Sequence, residues 1–279
     1  MPVNEKKSDV RETKKSKVNI TKVPKCNEYS QKEKEQHVAI ILQKYKKPSR
    51  SYLIFKYCYN IFMKNRQNWD SFVERYEKNM GEAGDRLNKN SINPVAVRML
   101  GNLSNKIMLD CGCGNGYLTA KFARQAKRVI GVDFSTKFIT LCKKKYGQIV
   151  NLELLQHDLS ERMSFKGETF DIVFTKMVLQ YVPDLHMFAK ETKRVLKKNG
   201  ELIIIVDHPF NPQFYFAQQI AGKPNLKYPN LKDYFNREEH TKLSLWGKIK
   251  LRWYPKKISD YILPFIQAGL VLVDIQELP

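Results

Sequence analysis

Met108-Leu-Asp-Cys-Gly-Cys-Gly-Asn-Gly-Tyr117 is the stretch on which the fold turns. The apolar run from Lys106 to Cys111 predicts a short buried strand ending around Asp110, followed by Gly112, Gly114 and Gly116 and then a helical pattern from Tyr117 to Ala126. Glycines let the backbone turn sharply and approach a ligand closely, because no Cβ intervenes. The first turn of a helix offers unpaired N–H groups and a positive dipole end, a setting suited to a carboxylate. The spacing is Gly-x-Gly-x-Gly and not the Gly-x-Gly-x-x-Gly that cradles a dinucleotide pyrophosphate, which argues for a cofactor without phosphates. Cys111 and Cys113 lack a second Cys/His pair at ligand spacing, so they are expected to be small loop residues and no metal site is predicted.

Working outward, strand and helix patterns alternate. Arg128–Asp133 predicts a strand, Ser135–Tyr146 a helix, Asn151–His157 and Phe170–Thr175 two strands, Leu185–Lys197 a helix and Glu201–Asp207 a strand. That alternation indicates an α/β fold: a mostly parallel twisted sheet with helices on both faces. Residues 208–247 interrupt the rhythm with Phe210, Phe214, Tyr215, Phe216, Tyr228, Tyr234, Phe235 and Trp246. Such an insertion after a strand's C-terminal end suits a substrate lid, or only a cover for the sheet edge. Beyond it, Lys248–Tyr254 predicts a strand, Ser259–Ala268 a helix and Leu270–Gln276 a last strand.

Three further signals stand at strand ends. Asp133 lies 17 residues after Gly116, where a carboxylate can accept hydrogen bonds from both hydroxyls of a ribose. Asp158, in Gln156-His-Asp-Leu159, follows the third strand, where an adenine amino group would lie. Phe170 to Asp184 forms the fourth. Each acid alone reads as a helix cap or a solvated turn; the ordered set of four decides.

With these motifs in place, residues 66–279 resemble the class I S-adenosylmethionine (SAM)-dependent methyltransferases, in the group related to the ubiquinone and menaquinone biosynthesis methyltransferases. Val195-Leu-Lys-Lys-Asn-Gly-Glu-Leu202 is similar to that group's turn into the fifth strand. His208-Pro209 and Trp253-Tyr-Pro-Lys-Lys-Ile-Ser-Asp-Tyr261 are similar to one of its subgroups. The resemblance implies a Rossmann-like methyltransferase fold and S-adenosyl-L-methionine as cofactor. It implies that Asp110, Gly112, Gly114 and Gly116 form the cofactor loop and that Asp133 holds the ribose. Phe134 and Leu159 would flank the adenine, with Asp158 near its amino group. Thr175 and Lys176 would offer backbone carbonyls to the methionyl amine. Tyr76 matches a tyrosine that closes over the cofactor, or packs as a helix-face aromatic. His208 is the expected base or acceptor ligand, the plainer reading being a structural histidine.

Two departures stand out. Pro255-Lys256 replaces the subgroup's basic pair, and no segment is found for the family's usual seventh strand, antiparallel between the fifth and sixth. Either the chain is a fragment or Lys248–Tyr254 takes an unusual place.

Composition bounds the rest. The 279 residues carry a formal charge of +21, and residues 1–70 hold 17 basic against 7 acidic side chains. Residues 1–35 predict a disordered basic tail and 36–65 a helical extension. The tail suits nucleic acid or an acidic surface, or is simply solvated. Five scattered cysteines, no apolar leader and no transmembrane run predict a cytoplasmic protein, or a nuclear one. A small-molecule methyl acceptor is the expected partner. The alternatives are an RNA- or protein-directed methyltransferase docked by the tail, a degenerate SAM-binding protein, and a nicotinamide oxidoreductase.

Overall fold

The computed structural model describes residues 66–208, 240–243 and 250–277. The expected tail (1–35), the helical extension (36–65) and most of the expected lid (208–247) lie outside the described residues. The elements are α1 (Val73–Met80), a π-helical turn (Asn88–Ile92), α2 (Asn93–Leu100), β1 (Ile107–Cys111), α3 (Tyr117–Ala123), β2 (Arg128–Asp133), α4 (Thr136–Tyr146), β3 (Leu152–Gln156) and β4 (Phe170–Lys176). After a 3-10 turn (Leu179–Tyr181) come α5 (His186–Val195), β5 (Leu196–Ile205), β6 (His240–Leu243), β7 (Lys250–Trp253) and α6 (Ile258–Gln267).

β1 to β5 form one parallel sheet in the order β3-β2-β1-β4-β5. A parallel sheet must bury both faces, and period-two alternation supplies two apolar sets. Met108, Val129, Ile172, Phe174 and Ile203 face α2 and α3, packing on Ala96, Leu100, Leu118 and Phe122. Leu109, Ile130, Val132 and Val173 face the other way, onto Phe188, Ala189 and Val195 of α5 and Tyr261 and Phe265 of α6. Ser135 caps α4: its Oγ accepts from the Phe138 N–H at 3.2 Å.

Because β2 and β3 lie to one side of β1 and β4 and β5 to the other, a crevice opens at the C-terminal ends of β1 and β4. Open α/β sheets bind ligands at such a switch of strand order.

Several sequence expectations need correction. Leu270–Gln276 is not a strand: residues 270–277 form no regular element, and Val271, Leu272, Val273 and Ile275 are exposed. Its β-branched residues gave it strand propensity, but a strand needs a paired neighbour, and it has none among the described residues. The strand around Lys248–Tyr254 exists as β7, yet it pairs antiparallel with β6 in a separate two-stranded sheet. Neither therefore extends the main sheet, which among the described residues stops at β5. β5 also starts five residues early, at Leu196. A register shift against β4 between Phe170 and Ile172, with Asn199 at φ 63°, absorbs the turn expected there.

Candidate functional site

The loop from Cys111 to Tyr117 is built from the strand upward. Gly112 and Cys113 both donate their N–H to the Val132 carbonyl of β2, at 2.7 and 3.0 Å, and the Gly116 N–H closes the turn onto the Cys113 carbonyl at 3.0 Å. Gly112 (φ 81°) and Gly116 (φ 77°) occupy backbone conformations that side chains rarely adopt. A Cβ on Gly112 would lie 2.2 Å from Val178 Cγ2, and one on Gly116 2.8 Å from Cys142 Sγ. On Gly114 nothing comes closer than the Tyr76 hydroxyl at 3.6 Å, so backbone is exposed to the space beneath that ring.

The two acids flank this loop. Asp110, buried at 4% exposure, accepts from Thr119 Oγ1 at 2.6 Å, so it ties β1 to α3. Burial pushes its carboxyl up to about 6, opposed by the Thr119 hydrogen bond and the Lys176 charge. Asp133 accepts from the Gly114 N–H at 3.0 Å through Oδ2 and from the Ser135 N–H at 2.9 Å through Oδ1. Desolvation raises it to about 6 against those backbone hydrogen bonds. Its carboxylate both anchors the glycine loop and retains lone pairs for a diol.

The remaining expected residues are placed as follows. Phe134 is half-buried beside Asp133, its carbonyl taking the Gln156 amide at 3.2 Å. Asp158 caps its own turn, one oxygen accepting from the Ser160 N–H at 2.8 Å and its hydroxyl at 2.7 Å. Leu159 is 5% exposed and belongs to the core with Ile130, Val132 and Met163. Thr175 is fully buried beside Cys111, and its Oγ1 has no hydrogen-bond partner. Lys176 donates from its side chain to Asn88 and Asn93 and to Tyr117 at the end of the loop. Tyr76 stacks edge-on against Phe72 and Phe138, at ring-centre distances of 5.9 and 5.1 Å, and burial raises its hydroxyl well above the usual range. His208 stands just past β5, with Nε2 3.2 Å from Glu277 Oε1.

Residues 66–93 form a strap across the loop that sequence reading did not foresee beyond Tyr76. Asp70 accepts from Ser135 Oγ at 2.6 Å. Asn115 Nδ2, in the loop itself, donates to Glu77 Oε2 at 2.6 Å and to the Gly81 carbonyl at 2.8 Å, and Glu77 also pairs with Lys145 of α4. Asn115 Oδ1 is buried without a partner. A wall of aromatic rings continues from the strap: Tyr181, in the turn after β4, meets Trp69 at 5.0 Å and Trp253 of β7 at 5.7 Å. Gln180 beside it is 1% exposed, and its Oε1 also lacks a partner. The signal for this wall was present as scattered aromatics, but their convergence from three distant segments is a tertiary fact. Cys142 Sγ donates to the Gly114 carbonyl at 3.0 Å, and no cluster of metal-binding side chains exists among the described residues.

Comparisons with known proteins agree with this geometry. Residues 109–204 match a family described as a methyltransferase domain. The chain is 30% identical over 115 residues to a ubiquinone biosynthesis O-methyltransferase of Pelagibacter ubique, covering 41% of this chain and 48% of that one. It is 37% identical over 110 residues to a demethylmenaquinone methyltransferase of Lactobacillus johnsonii, covering 37% and 45%. The chain thus spans about half the length of these curated relatives. A SAM-dependent methyltransferase structure from Aquifex aeolicus superposes with a TM-score of 0.52 at 15% identity, over 74% of this chain and 92% of that one, a likeness of fold.

Proposed function

We propose, from a chain that carries a class I SAM-dependent methyltransferase domain related to the quinone-biosynthesis methyltransferases, that the whole protein methylates a small molecule. Its cofactor is S-adenosylmethionine. The residues present fit that cofactor: a glycine loop whose backbone at Gly114 is open to the space beneath the Tyr76 ring, a diol-accepting carboxylate at Asp133, and the orphaned buried Thr175 Oγ1 at the crevice. In this reading Asp133 binds the ribose hydroxyls, Phe134 and Leu159 border the adenine, Asp158 stands near its amino group, and the Thr175 and Lys176 carbonyls meet the methionyl amine.

Bound SAM supplies a sulfonium methyl that is electrophilic without further activation. The protein's work is then positioning and exclusion of water. Tyr76, Trp69 and Phe138 cover the loop side. The wall of Trp69, Tyr181 and Trp253 supports a flat aromatic acceptor, such as a ring carrying hydroxyls, and the quinone-directed relatives favour the same class. This wall is the observation that carries the reading.

A phenolic acceptor must lose a proton, and His208 is assigned that role. The deciding assay is transfer of a labelled methyl group from SAM to a panel of catechols, hydroquinones, amines and RNA. Transfer to ring hydroxyls or ring carbons supports the reading, and transfer confined to RNA overturns it. His208→Ala is expected to lower kcat by roughly 100-fold while leaving SAM affinity within about twofold. Equal loss of both would remove the catalytic role.

Acid weakens cofactor binding in a direction set by Asp133. Its carboxyl titrates at about 6 in the free chain, and accepting two hydroxyl donors favours the charged form, so the complex holds fewer protons than the free chain below that pH. SAM affinity therefore falls as pH drops through 6, by up to about tenfold per unit. Titration calorimetry at pH 5 and 7 reads it.

A further inference from the structure

Lys176 ends β4 on the same face as Ile172 and Phe174, beneath the start of α3. Its Nζ donates to Asn88 Oδ1 at 2.7 Å, to the Tyr117 hydroxyl at 2.9 Å and to Asn93 Oδ1 at 3.2 Å, and lies 5.3 Å from the Tyr117 ring centre. All three partners are neutral, and all three residues are buried, at 8 to 9% exposure. The Tyr117 hydroxyl in turn donates to Asn93 Oδ1 at 3.0 Å.

The carboxylates that act on this ammonium do so at a distance and are spoken for. Asp110 is bound by Thr119, and Asp85 by the Asn88 N–H and side-chain amide at 2.9 Å. Burial pushes the ammonium down to about 8 despite the pull of both. An ammonium whose contacts are all neutral, with Asp110 and Asp85 acting on it only from a distance, costs free energy that a methionine of similar length would not. Such a charge makes physical sense as one half of a pair.

The other half follows from the strand order, on the reading under Proposed function. With the ribose on Asp133 at the end of β2 and the adenine beyond it toward β3, the amino-acid tail of the cofactor must run the opposite way. That takes it past β1 into the crevice at β4, where Lys176 sits. We propose that the Lys176 ammonium is the electrostatic counter-ion of the cofactor's amino-acid carboxylate, held in place by Asn88, Asn93 and Tyr117. The role is one of binding and positioning: its three donors are engaged, so it is not a proton acceptor for the reaction. It also makes the strap part of the cofactor site, because Asn88 and Asn93 belong to the strap's end.

The test is a matrix of two ligands and three proteins, read by calorimetry without turnover. The ligands are SAM and decarboxylated SAM, which lacks that carboxylate; the proteins are wild type, Lys176→Met and Lys176→Arg. Lys176→Met is expected to weaken SAM by about tenfold or more and to leave decarboxylated SAM within about twofold, while Lys176→Arg keeps most of the SAM affinity. Equal weakening of both ligands would mean that Lys176 only pins the strap, and no weakening of either would mean that it faces no carboxylate; each overturns the proposal. Should Lys176→Met not fold, Lys176→Gln, whose amide can keep part of the bonding to Asn88 and Asn93, enters the same matrix with the same expectations. A wild type that binds neither ligand overturns the cofactor reading itself. A wild type that binds both alike, with variants that also do, overturns only the counter-ion.

Discussion

Gly112→Ala lowers the melting temperature of the chain by roughly 4 to 20 °C. Two independent penalties add. The residue sits at φ 81°, where an L side chain costs roughly 1–2 kcal/mol, and the new Cβ would fall 2.2 Å from Val178 Cγ2. Overpacking of that kind costs about 1–3 kcal/mol, and for a domain of this size each kcal/mol moves the midpoint by roughly 2–4 °C. The two parts can be separated. Combining Gly112→Ala with Val178→Ala removes the clash but not the backbone strain, so about half of the loss should return beyond what Val178→Ala costs alone. Thermal melts of the four proteins check it; full recovery would place the whole effect in packing, and none would place it in the backbone.

Asp133→Ala raises the dissociation constant for SAM by about 100-fold or more, since two hydrogen bonds to a charged acceptor are lost together. The same substitution strips the Gly114 and Ser135 N–H groups of their acceptor, so the loop loosens at the point where the cofactor rests. Asp133→Asn sorts these contributions. It keeps one carbonyl oxygen but presents an NH2 to the other backbone donor, and it should bind SAM nearly as poorly as Asp133→Ala. If Asp133→Asn binds like wild type, the ribose is not held here.

How far the chain could be read from its residues depends on the range of the interaction that decides each feature. The loop from Gly112 to Gly116 was legible because its chemistry is local: strand, glycines and helix follow one another, and the φ values they require are a property of glycine itself. Asp133 and the parallel sheet were legible for a similar reason, through a repeat of strand and helix. Leu270–Gln276 misled because propensity describes a residue and pairing describes a neighbour. β5 began early because a bulge at Asn199 let the ladder continue through residues that read as a turn. Lys176 was placed by its backbone, while the direction of its side chain depends on Asn88 and Asn93, far earlier in the chain. The aromatic wall likewise joins Trp69, Tyr181 and Trp253, and no spacing rule links them.

The strap across the glycine loop bears on time as well as on affinity. Asp70, Tyr76, Glu77, Asn88 and Asn93 hold it at separate points on α4, the loop and β4. The Tyr76 hydroxyl rests 3.6 Å from where a Gly114 Cβ would be, so a cofactor that lies on the loop as proposed, beneath that ring, would need the strap to lift before it arrives or leaves. Association then proceeds at the rate of that opening, below the collision rate, and the demethylated product leaves by the same slow door. The residence time of the spent cofactor, more than the speed of methyl transfer, would set the pace of turnover.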